Sequence, residues 1–407
     1  MSTAGGPKVI ADNTLALHLD AGSTKSFPGE STTNVVTNWN LDTGWSKGYT
    51  EDIVFNEIAP PEGVNAPTVG FRNDDTGGTG YWYSYGNYAP QDPSTTYTVS
   101  LYAKTNQTNG NVRIRCYTAN NSEVGRQGSS YIYITQPNVW QRIVWNSFTT
   151  PSNTESDSLS FQYRGLYDGG YTRLWLCAPQ MEAKSYATPF VAGTRGTTVA
   201  TGGGWRDRSG NGRHAQIVNG PTARHTRRQR ALILDGTNDY IDLGSDITFK
   251  TGGGWSVLSW VKFHTVPGAY NNSTSPGNFI GGTGTYNSWY WSVLTSKLAL
   301  WNKDPGTWRY GSTTLQANTW YHCVLTCSND GTSYQMYLNG IAEGGNHTTY
   351  SWNASYAGLK VRYIGVGSAP STRRIDGEIG STQIYTRELT GEQVSNIYNA
   401  QRRRYVL

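Results

Sequence analysis

The sequence is poor in charge, in sulfur and in long apolar runs. Only 15% of the 407 residues are charged, and the chain has 4 Cys, 3 Met and 6 His. No apolar run approaches the roughly 20 residues that a membrane-spanning helix needs, so we expect no membrane partner. The formal net charge of +5 is small for this length, and we therefore expect no nucleic-acid partner either.

Glycine and aromatic residues take the place of the missing types. The chain has 48 Gly, 28 Tyr and 15 Trp, a composition that favours short strands joined by tight turns over helices. An aromatic content of 13% supplies the burial that disordered chains lack. We predict a folded all-β protein, long enough for two or three domains at about 150 residues each.

The four cysteines do not form a metal signature. Cys116, Cys177, Cys323 and Cys327 include no CxxC pair and no histidine at a ligand spacing. Cys323 and Cys327 would lie roughly 13 Å apart along one strand, at about 3.3 Å per residue, which is beyond disulfide reach. We predict buried free thiols.

The N-terminus and two arginine clusters lead to predictions about location and exposure. The N-terminal residues lack the basic start and apolar core of a secretory signal, so we expect synthesis in a cytoplasm. Arginines cluster at Arg224, Arg227, Arg228 and Arg230, and again at Arg402, Arg403 and Arg404. Such runs are typical of solvated loops and tails.

Apolar residues alternate with polar ones in several segments, which predicts strands with one buried face. Leu15, Leu17 and Leu19 are expected on one face of the first strand. Tyr97, Val99, Leu101 and Ala103 repeat the pattern. These segments are typical of β-sandwiches with solvated outer faces.

One helix is expected, near the C-terminus. Thr390 and Gln393 have the spacing of a capping box, and Val394, Ile397 and Tyr398 then share one stripe. Because about ten residues are marginal as an isolated helix, this helix should pack on a sheet.

Residues 205 to 400 carry an ordered series of short motifs. In chain order they are Trp205, Asp207, Ser209-Gly210-Asn211-Gly212, Leu234-Asp235-Gly236, Asp239-Tyr240-Ile241, Trp255 to Val261, Trp320-Tyr321-His322, Met336-Tyr337-Leu338-Asn339-Gly340, Ile364-Gly365, Ile375-Asp376-Gly377-Glu378-Ile379 and Ile384 to Leu389. Asn339-Gly340 suits a tight hairpin, and Gly236 and Gly377 allow close backbone approach. The series resembles the concanavalin A-like or laminin G-like jelly roll.

Leu15 to Gly22 looks like the first strand of the same jelly roll, which should directly precede Trp205. The intervening residues instead resemble the jelly roll of carbohydrate-binding modules at Asn38-Trp39-Asn40, Gly44-Trp45, Tyr97 to Lys104, Trp140-Gln141-Arg142, Gln180-Met181-Glu182 and Ala187 to Phe190. The two resemblances imply a first strand in 1–30, an inserted jelly roll in 31–195 and the rest of the laminin G-like jelly roll in 196–407. Insertion is tolerated where a domain's ends lie close together.

No catalytic constellation is visible in the sequence. Asp376 and Glu378 are two residues apart, but the preceding Glu of the glucanase pattern is missing. No nucleophile elbow, zinc-protease motif or phosphate-binding loop occurs. We therefore expect no enzymatic activity and no catalytic residues, and for Asp376 a structural or ion-binding role.

Calcium is the one cofactor that the resemblance allows, because carboxylates and loop carbonyls hold hard cations. Asn38, Asp42 and Glu182 could meet in the inserted module, and Asp235, Asp239 and Asp376 in the laminin G-like one. The alternative is that these acids only cap turns. For His322, packing or one hydrogen bond is expected rather than metal ligation.

Sandwich proteins recognise sugars with aromatic faces and polar side chains. The candidate aromatic residues are Trp82, Tyr83, Tyr85 and Tyr88 in the inserted module, and Trp289, Tyr290, Trp301, Trp308 and Tyr310 in the laminin G-like one. Since buried aromatics outnumber ligand-binding ones, about one in four should line an exposed groove.

Laminin G-like jelly rolls with inserted sugar-binding modules are similar to those of bacteriophage structural proteins. The resemblance implies a non-enzymatic virion protein of a fibre, tail or capsid decoration, assembled in the host cytoplasm. Its partners would be other virion proteins and a host-surface glycan, and a homo-oligomer, a trimer in a fibre, would follow from closed symmetry. The alternatives are a secreted or surface glycan-binding adhesin module without catalysis, and a glycoside hydrolase, which would need an acidic pair.

Overall fold

The computed structural model describes most of the chain. The described residues are 9–23, 25–41, 45–47, 52–62, 64–73, 81–107, 113–118, 132–152, 156–165, 172–201, 203–225, 230–250, 252–266, 277–282, 289–302, 307–348, 360–367 and 373–405. They divide into two compact units, which we name the host unit (Met1–Glu30 with Gly196–Leu407) and the insert unit (Ser31–Arg195).

Strands dominate both units. The host unit starts with β1 (Leu15–Asp20). The insert unit contains β2 (Thr32–Thr33), β3 (Trp45–Lys47), β4 (Asp52–Phe55), β5 (Thr68–Asn73), β6 (Tyr81–Gln91), β7 (Thr96–Thr105), β8 (Arg113–Thr118), β9 (Ile132–Tyr133), β10 (Gln141–Val144), β11 (Phe148–Thr149), β12 (Ser156–Gly165), β13 (Thr172–Glu182) and β14 (Thr194–Arg195).

The host unit continues after a short 3-10 helix (Val199–Thr201). Its remaining strands are β15 (Gln216–Val218), β16 (Thr222–His225), β17 (Arg230–Asp235), β18 (Tyr240–Thr248), β19 (Trp255–Phe263), β20 (Gly277–Gly281), β21 (Trp289–Leu294), β22 (Lys297–Asn302), β23 (Thr307–Tyr310), β24 (Trp320–Cys327), β25 (Ser333–Leu338), β26 (Ile341–Thr348), β27 (Lys360–Ile364) and β28 (Asp376–Tyr385). The chain then forms helix α1 (Gly391–Gln401) and a 3-10 turn (Arg402–Arg404).

The host unit is a sandwich of two antiparallel sheets. One sheet has the order β16-β17-β28-β19-β24-β25-β26, with β1 also paired to β28, and the other has the order β15-β18-β27-β20-β21-β22-β23. We call them the eight-stranded and the seven-stranded sheet. Alternate residues of both sheets, such as Val257, Trp291 and Ile364, fill one core, as the period of two requires. The all-β prediction is confirmed.

The first strand departs from the predicted alternation. A register shift in the pairing of β1 with β28 falls between Leu15 and Leu17. Leu17 and Leu19 therefore pack in the main core, whereas Leu15 packs in a separate cluster with Val394. The expectation that Leu15, Leu17 and Leu19 share one face is wrong, because a bulge moves a side chain to the other face.

Two turn predictions in the host unit are confirmed. Asn339 and Gly340 join β25 to β26 with φ values of 51° and 84°, as a two-residue hairpin with two left-handed positions requires. Gly236 also has a positive φ of 72°, and a Cβ atom there would lie 2.9 Å from Asp376 Cβ.

Helix α1 begins with the predicted capping box. Gln393 N donates to Thr390 Oγ1 at 3.3 Å, and Thr390 N donates to Gln393 Oε1 at 3.1 Å. Val394 and Ile397 are buried against Leu258, whose neighbour Val257 points into the core. The helix therefore covers the outer face of the eight-stranded sheet.

The C-terminal arginines do not all extend into solvent. Arg402 and Arg403 are exposed, but Arg404 donates two hydrogen bonds to the Asp20 carboxylate, at 2.7 and 3.2 Å. The expectation of a wholly solvated tail is wrong for Arg404, because this ion pair holds it on β1. Arg227 and Arg228 lie outside the described residues, as do the side chains of Arg224 and Arg230.

The insert unit has its own sheets and core. One sheet has the order β10-β7-β13-β5-β4, with β11 also paired to β7, and a second has the order β3-β6-β12-β8-β9. Tyr97, Val99, Leu101 and Ala103 are buried in its core, as predicted. The entry strand β2 pairs with the exit strand β14, Thr33 opposite Thr194 and Thr32 opposite Arg195.

The three cysteines whose side chains the structure describes, Cys177, Cys323 and Cys327, are buried and not in disulfides. Burial raises the pKa of the Cys177 thiol to about 12, which keeps it protonated and unreactive. Within the described residues, no helix is both long and apolar enough to cross a membrane.

Candidate functional site

A row of aromatic residues crosses the edge of the seven-stranded sheet. Tyr290 on β21 lies opposite Trp301 on β22, and Trp301 lies opposite Trp308 on β23. The ring centroids of Trp301 and Trp308 are 5.3 Å apart. Tyr310 follows two residues after Trp308 and so occupies the same face. We call Tyr290, Trp301, Trp308 and Tyr310 the aromatic surface.

The aromatic surface faces away from the core. The neighbouring register pair, Trp291 with Leu300, is buried in the main core, and adjacent pairs point to opposite faces of a sheet. Tyr290, Trp301 and Trp308 are half-buried, and Tyr310 is 37% exposed. Burial raises the pKa of the Tyr310 hydroxyl, which therefore remains a hydrogen-bond donor at neutral pH.

Trp289 does not belong to this surface. It is 1% exposed, packs in the core, and its Nε1 donates to the Lys360 carbonyl at 3.0 Å. Trp289 and Tyr290 are consecutive strand residues, so only one of them can face outward. Trp289 is therefore removed from the sugar-contacting candidates.

A polar residue that the sequence did not single out borders the aromatic surface. Asn278 is fully buried, its Oδ1 accepts the Ser292 hydroxyl proton, and its Nδ2 has no hydrogen-bond partner among the residues that the structure describes. Gly367 packs against both the Asn278 amide and the Tyr290 ring, because a Cβ atom at position 367 would lie 2.7 Å from Tyr290 Cδ1. Asn278 is therefore enclosed by the fold and contributes no accessible group to the aromatic surface. No period or motif in the sequence marks Asn278.

A cleft of about 200 Å³ lies at another edge of the host unit. It is lined by Asp235, Gly236, Phe263, Thr265, Gly277, Arg374, Ile375 and Asp376. Asp376 Oδ2 accepts the Thr265 hydroxyl at 2.7 Å, and its Oδ1 lies 3.1 Å from His264 Nδ1. The other ring nitrogen of His264 lies 3.2 Å from Glu378 Oε1.

Glu378 is fully buried and lies 2.5 Å from Lys262 Nζ. A buried carboxylate needs such a partner, because desolvation without pairing is costly. Asp376 and Glu378 are thus connected to His264, Lys262 and Thr265, an arrangement that ties β28 to β19 and its following turn.

The predicted calcium ligands of the host unit hold backbone amides. Asp235 Oδ1 accepts the N–H of Thr237 at 2.8 Å and that of Asn238 at 3.2 Å, and Asp239 Oδ2 accepts the N–H of Asp235. Burial acts to raise the pKa of Asp235, but the backbone donors lower it overall. Burial raises the pKa of Asp239 to about 6.

In the insert unit, Glu182 is buried and accepts hydrogen bonds from the hydroxyls of Thr32 and Thr188, both at 2.8 Å. Asn38 is half-buried, and Asp42 lies outside the described residues. In the part of the chain that the structure describes, no three His, Cys, Asp or Glu side chains are grouped to hold a metal ion. The calcium sites stay a prediction.

The insert unit's aromatic candidates all lie on β6, where the structure describes the backbone but not the side chains. Their positions alternate along the strand. Tyr83 and Tyr85 occupy positions on one face of the strand. Trp82 and Tyr88 occupy the opposite face.

Comparison with known proteins finds similar solved structures and one family model. None of the curated proteins matches the sequence. The binding domain of Paraclostridial Mosquitocidal Protein 1 is 15% identical with a TM-score of 0.37, over 48% of this chain and 49% of that one. The binding domain of Botulinum neurotoxin serotype D is 16% identical with a TM-score of 0.36, over 48% of each chain.

Domain 4 of AbnA, an extracellular GH43 arabinanase of Geobacillus stearothermophilus solved with arabinotriose, is 20% identical with a TM-score of 0.36, over 47% of this chain and 91% of that one. The match thus spans about half the length of the two toxin binding domains. Residues 235–395, which include both the aromatic surface and the cleft, match the family model described as the concanavalin A-like lectin/glucanases superfamily, and this part of the host unit is therefore similar to that superfamily.

Proposed function

We propose that the host unit binds a glycan on its aromatic surface and does so without catalysis. The observation that carries this proposal is the row formed by Tyr290, Trp301 and Trp308 on three adjacent strands, facing away from the core. Rings in such a row stack on the apolar faces of successive sugar residues.

The test is binding of the purified chain to an array of neutral and charged glycans, followed by calorimetry on the best ligand. Replacing Trp301 and Trp308 together by alanine removes two central contacts and should weaken binding at least about 30-fold. Tyr186→Ala is the matched control, since Tyr186 is 36% exposed in the insert unit. Equal losses in both variants, or no loss in the double variant, would refute this site.

The absence of catalysis is supported by the state of Glu378. An acid or nucleophile must reach its substrate, whereas Glu378 is fully buried and paired with Lys262. The measurement is hydrolysis of polysaccharides by the purified chain. Hydrolysis that is abolished by Asp376→Asn or Glu378→Gln would overturn the non-enzymatic proposal.

The setting that we propose for this binding is a bacteriophage virion, in which the chain is a fibre, tail or capsid-decoration protein that contacts other virion proteins. The proposal is supported by the motif order of residues 205 to 400 together with the separate insert unit. A trimer would present three aromatic surfaces and strengthen weak glycan contacts through multivalency. Co-sedimentation with phage particles tests this setting. A chain that is absent from particles but displayed on a cell surface is instead a glycan-binding adhesin.

A further inference from the structure

The outer face of the eight-stranded sheet holds an amine and a carboxyl group in direct contact. Lys262 on β19 lies directly opposite Glu378 on β28, and Lys262 Nζ is 2.5 Å from Glu378 Oε1. Val261 and Phe263, on either side of Lys262, point into the core, so Lys262 faces outward. The Glu378 side chain is nevertheless fully buried, and that of Lys262 is 12% exposed. The two groups therefore meet away from bulk water.

The pair is flanked by apolar side chains on both neighbouring strands. Ile233 on β17 lies opposite Glu378, and Trp320 on β24 lies opposite Lys262. Lys262 Nζ is 5.5 Å from the centroid of the Trp320 ring, and the Tyr405 ring packs on Trp320 with centroids 4.9 Å apart. An ion pair in such surroundings often fails to recover the free energy of its desolvation. A bond that removes both charges also removes this cost.

His264 places an exchangeable proton at the same carboxyl group. Its Nε2 lies 3.2 Å from Glu378 Oε1, the oxygen that contacts Lys262. Its Nδ1 lies 3.1 Å from Asp376 Oδ1, which orients the ring. A neutral imidazole donates through only one nitrogen, so these two contacts require one further proton, held by the ring or by a carboxyl group. That proton lies beside the Glu378 oxygen.

The amine nitrogen and the carboxyl carbon are close to reacting distance. A carboxyl C–O bond is about 1.2 Å long, so the 2.5 Å contact puts Lys262 Nζ within about 3.7 Å of Glu378 Cδ. Well-oriented groups about 3–3.5 Å apart react with effective concentrations that reach about 10⁵ M or more. Such a concentration far exceeds that of liquid water, so formation of an amide is favoured over its hydrolysis.

We propose that Lys262 and Glu378 form an intramolecular isopeptide bond, an amide between Nζ and Cδ that joins β19 covalently to β28. The reaction occurs once in each chain and needs no external reagent. It is independent of glycan binding, because the aromatic surface lies on the seven-stranded sheet.

The atoms and charges of this reaction balance. Lys262 gives one ammonium proton to Glu378 Oε1, which leaves an amine and a carboxylic acid. The Nζ lone pair then attacks Cδ, and the electrons of the C=O bond move onto Oε2. When these electrons return, Oε1 takes a proton from His264 and leaves as water, and Nζ gives its second proton back to His264. An ammonium and a carboxylate thus become one amide and one water molecule.

Mass spectrometry of the purified full chain tests the bond. We expect an intact mass lower than that of the sequence by one water molecule, once any loss of Met1 is counted. Because trypsin does not cut after an acylated lysine, digestion should yield residues 251–297 linked to residues 375–387. A folded chain with the full sequence mass, in which trypsin cuts after Lys262, would overturn the proposal.

Lys262→Arg is the matched control. Arginine keeps the positive charge opposite Glu378, but its guanidinium stays protonated and does not act as a nucleophile. We expect this variant to have its full sequence mass. A variant that still lacks one water molecule would place the lost water elsewhere in the chain and contradict the assignment. If the variant does not fold, the linked peptide of the unaltered chain decides the question, since it identifies both residues.

His264→Gln tests the proton transfer. Glutamine can form hydrogen bonds at this position but cannot carry the proton to the leaving oxygen. General acid–base catalysis typically contributes at least 100-fold, so the unlinked chain, followed by mass after a pulse of synthesis, should disappear about 100-fold more slowly or not at all. An unchanged rate in a folded variant would refute the part assigned to His264.

Discussion

The two outer faces of the host sandwich both carry aromatic residues, but among the described residues those of one face are buried and those of the other are half-exposed. On the eight-stranded sheet, Trp260 is fully buried and stacks on Tyr405, with ring centroids 4.4 Å apart and an interplanar angle of 18°. On the seven-stranded sheet, Trp301 and Trp308 are only half-buried. The C-terminal segment covers the first face. Whether an aromatic row stabilises the fold or remains available to a ligand is thus decided by what packs over it.

Replacing an aromatic residue of the covered face by alanine should reduce the free energy of unfolding more than the same change on the other face. Trp260→Ala removes a buried ring that contacts Tyr405 and Tyr398, and its Nε1 donates to Gln401 Oε1. We expect a loss of about 3–5 kcal/mol in the free energy of unfolding, the usual cost of such a cavity. Urea unfolding measures it. A loss no greater than that of Trp301→Ala would erase the contrast between the faces.

The covered face should also respond to acid through His322. Its ring lies 5.1 Å from that of Trp260, and burial lowers its pKa to about 3. The unfolded residue titrates near 6.5, so its contribution is constant above that pH. Between pH 6.5 and about 3 only the unfolded state binds the extra proton. The free energy of unfolding therefore decreases by about 1.4 kcal/mol for each unit by which the pH is lowered.

The measurement for His322 is the difference in unfolding free energy between the unaltered chain and His322→Gln at several pH values. Other titrating groups contribute equally to both proteins, so the difference isolates this residue. We expect the difference to change by about 1.4 kcal/mol per unit between pH 6 and pH 4. A difference that does not vary with pH would show that His322 is accessible to protons in the folded state.

Weakening helix α1, which covers the eight-stranded sheet, should have a smaller effect on the free energy of unfolding. Thr390→Ala removes the side chain that accepts the Gln393 N–H at the start of helix α1. Loss of an N-cap costs about 1 kcal/mol. Thr390→Ser is the control and should restore most of the stability, because its hydroxyl can still accept. Equal unfolding midpoints for alanine and serine would rule out a contribution from the cap.

The half-exposed face should be the least sensitive in stability. For Trp301→Ala we expect a loss of about 1 kcal/mol or less, because half-exposed surface side chains contribute little to folding. The same substitution should lower glycan affinity. A large loss of stability together with unchanged binding would show that Trp301 stabilises the fold and does not contact the glycan. The aromatic surface would then consist of Tyr290, Trp308 and Tyr310.

Local patterns predicted the elements whose determinants lie close together in sequence. The capping box of Thr390 and Gln393 and the Asn339-Gly340 hairpin are confirmed because each needs only a few residues. The bulge beside Leu15 was missed because it depends on pairing with β28, more than 350 residues away. No local signal carries such a contact.

The candidate sites show the same limit. The period of two implies that Trp289 and Tyr290 face opposite ways, but it does not say which one faces outward. That choice depends on the strands that flank β21. The burial of Asn278 beside Tyr290 is likewise a property of three-dimensional packing and has no sequence pattern.

The pairing of β2 with β14 holds the two ends of the insert unit close together. Thr32 lies directly opposite Arg195, and the hydroxyls of Thr33 and Thr194 are 3.1 Å apart. Opposite residues in antiparallel strands have Cα atoms about 4.5–5.5 Å apart, little more than the 3.8 Å of one peptide unit. A chain that skips from Thr32 to Arg195 therefore needs a linker of only one or two residues, and we expect the same junction to accept a foreign module whose ends are equally close.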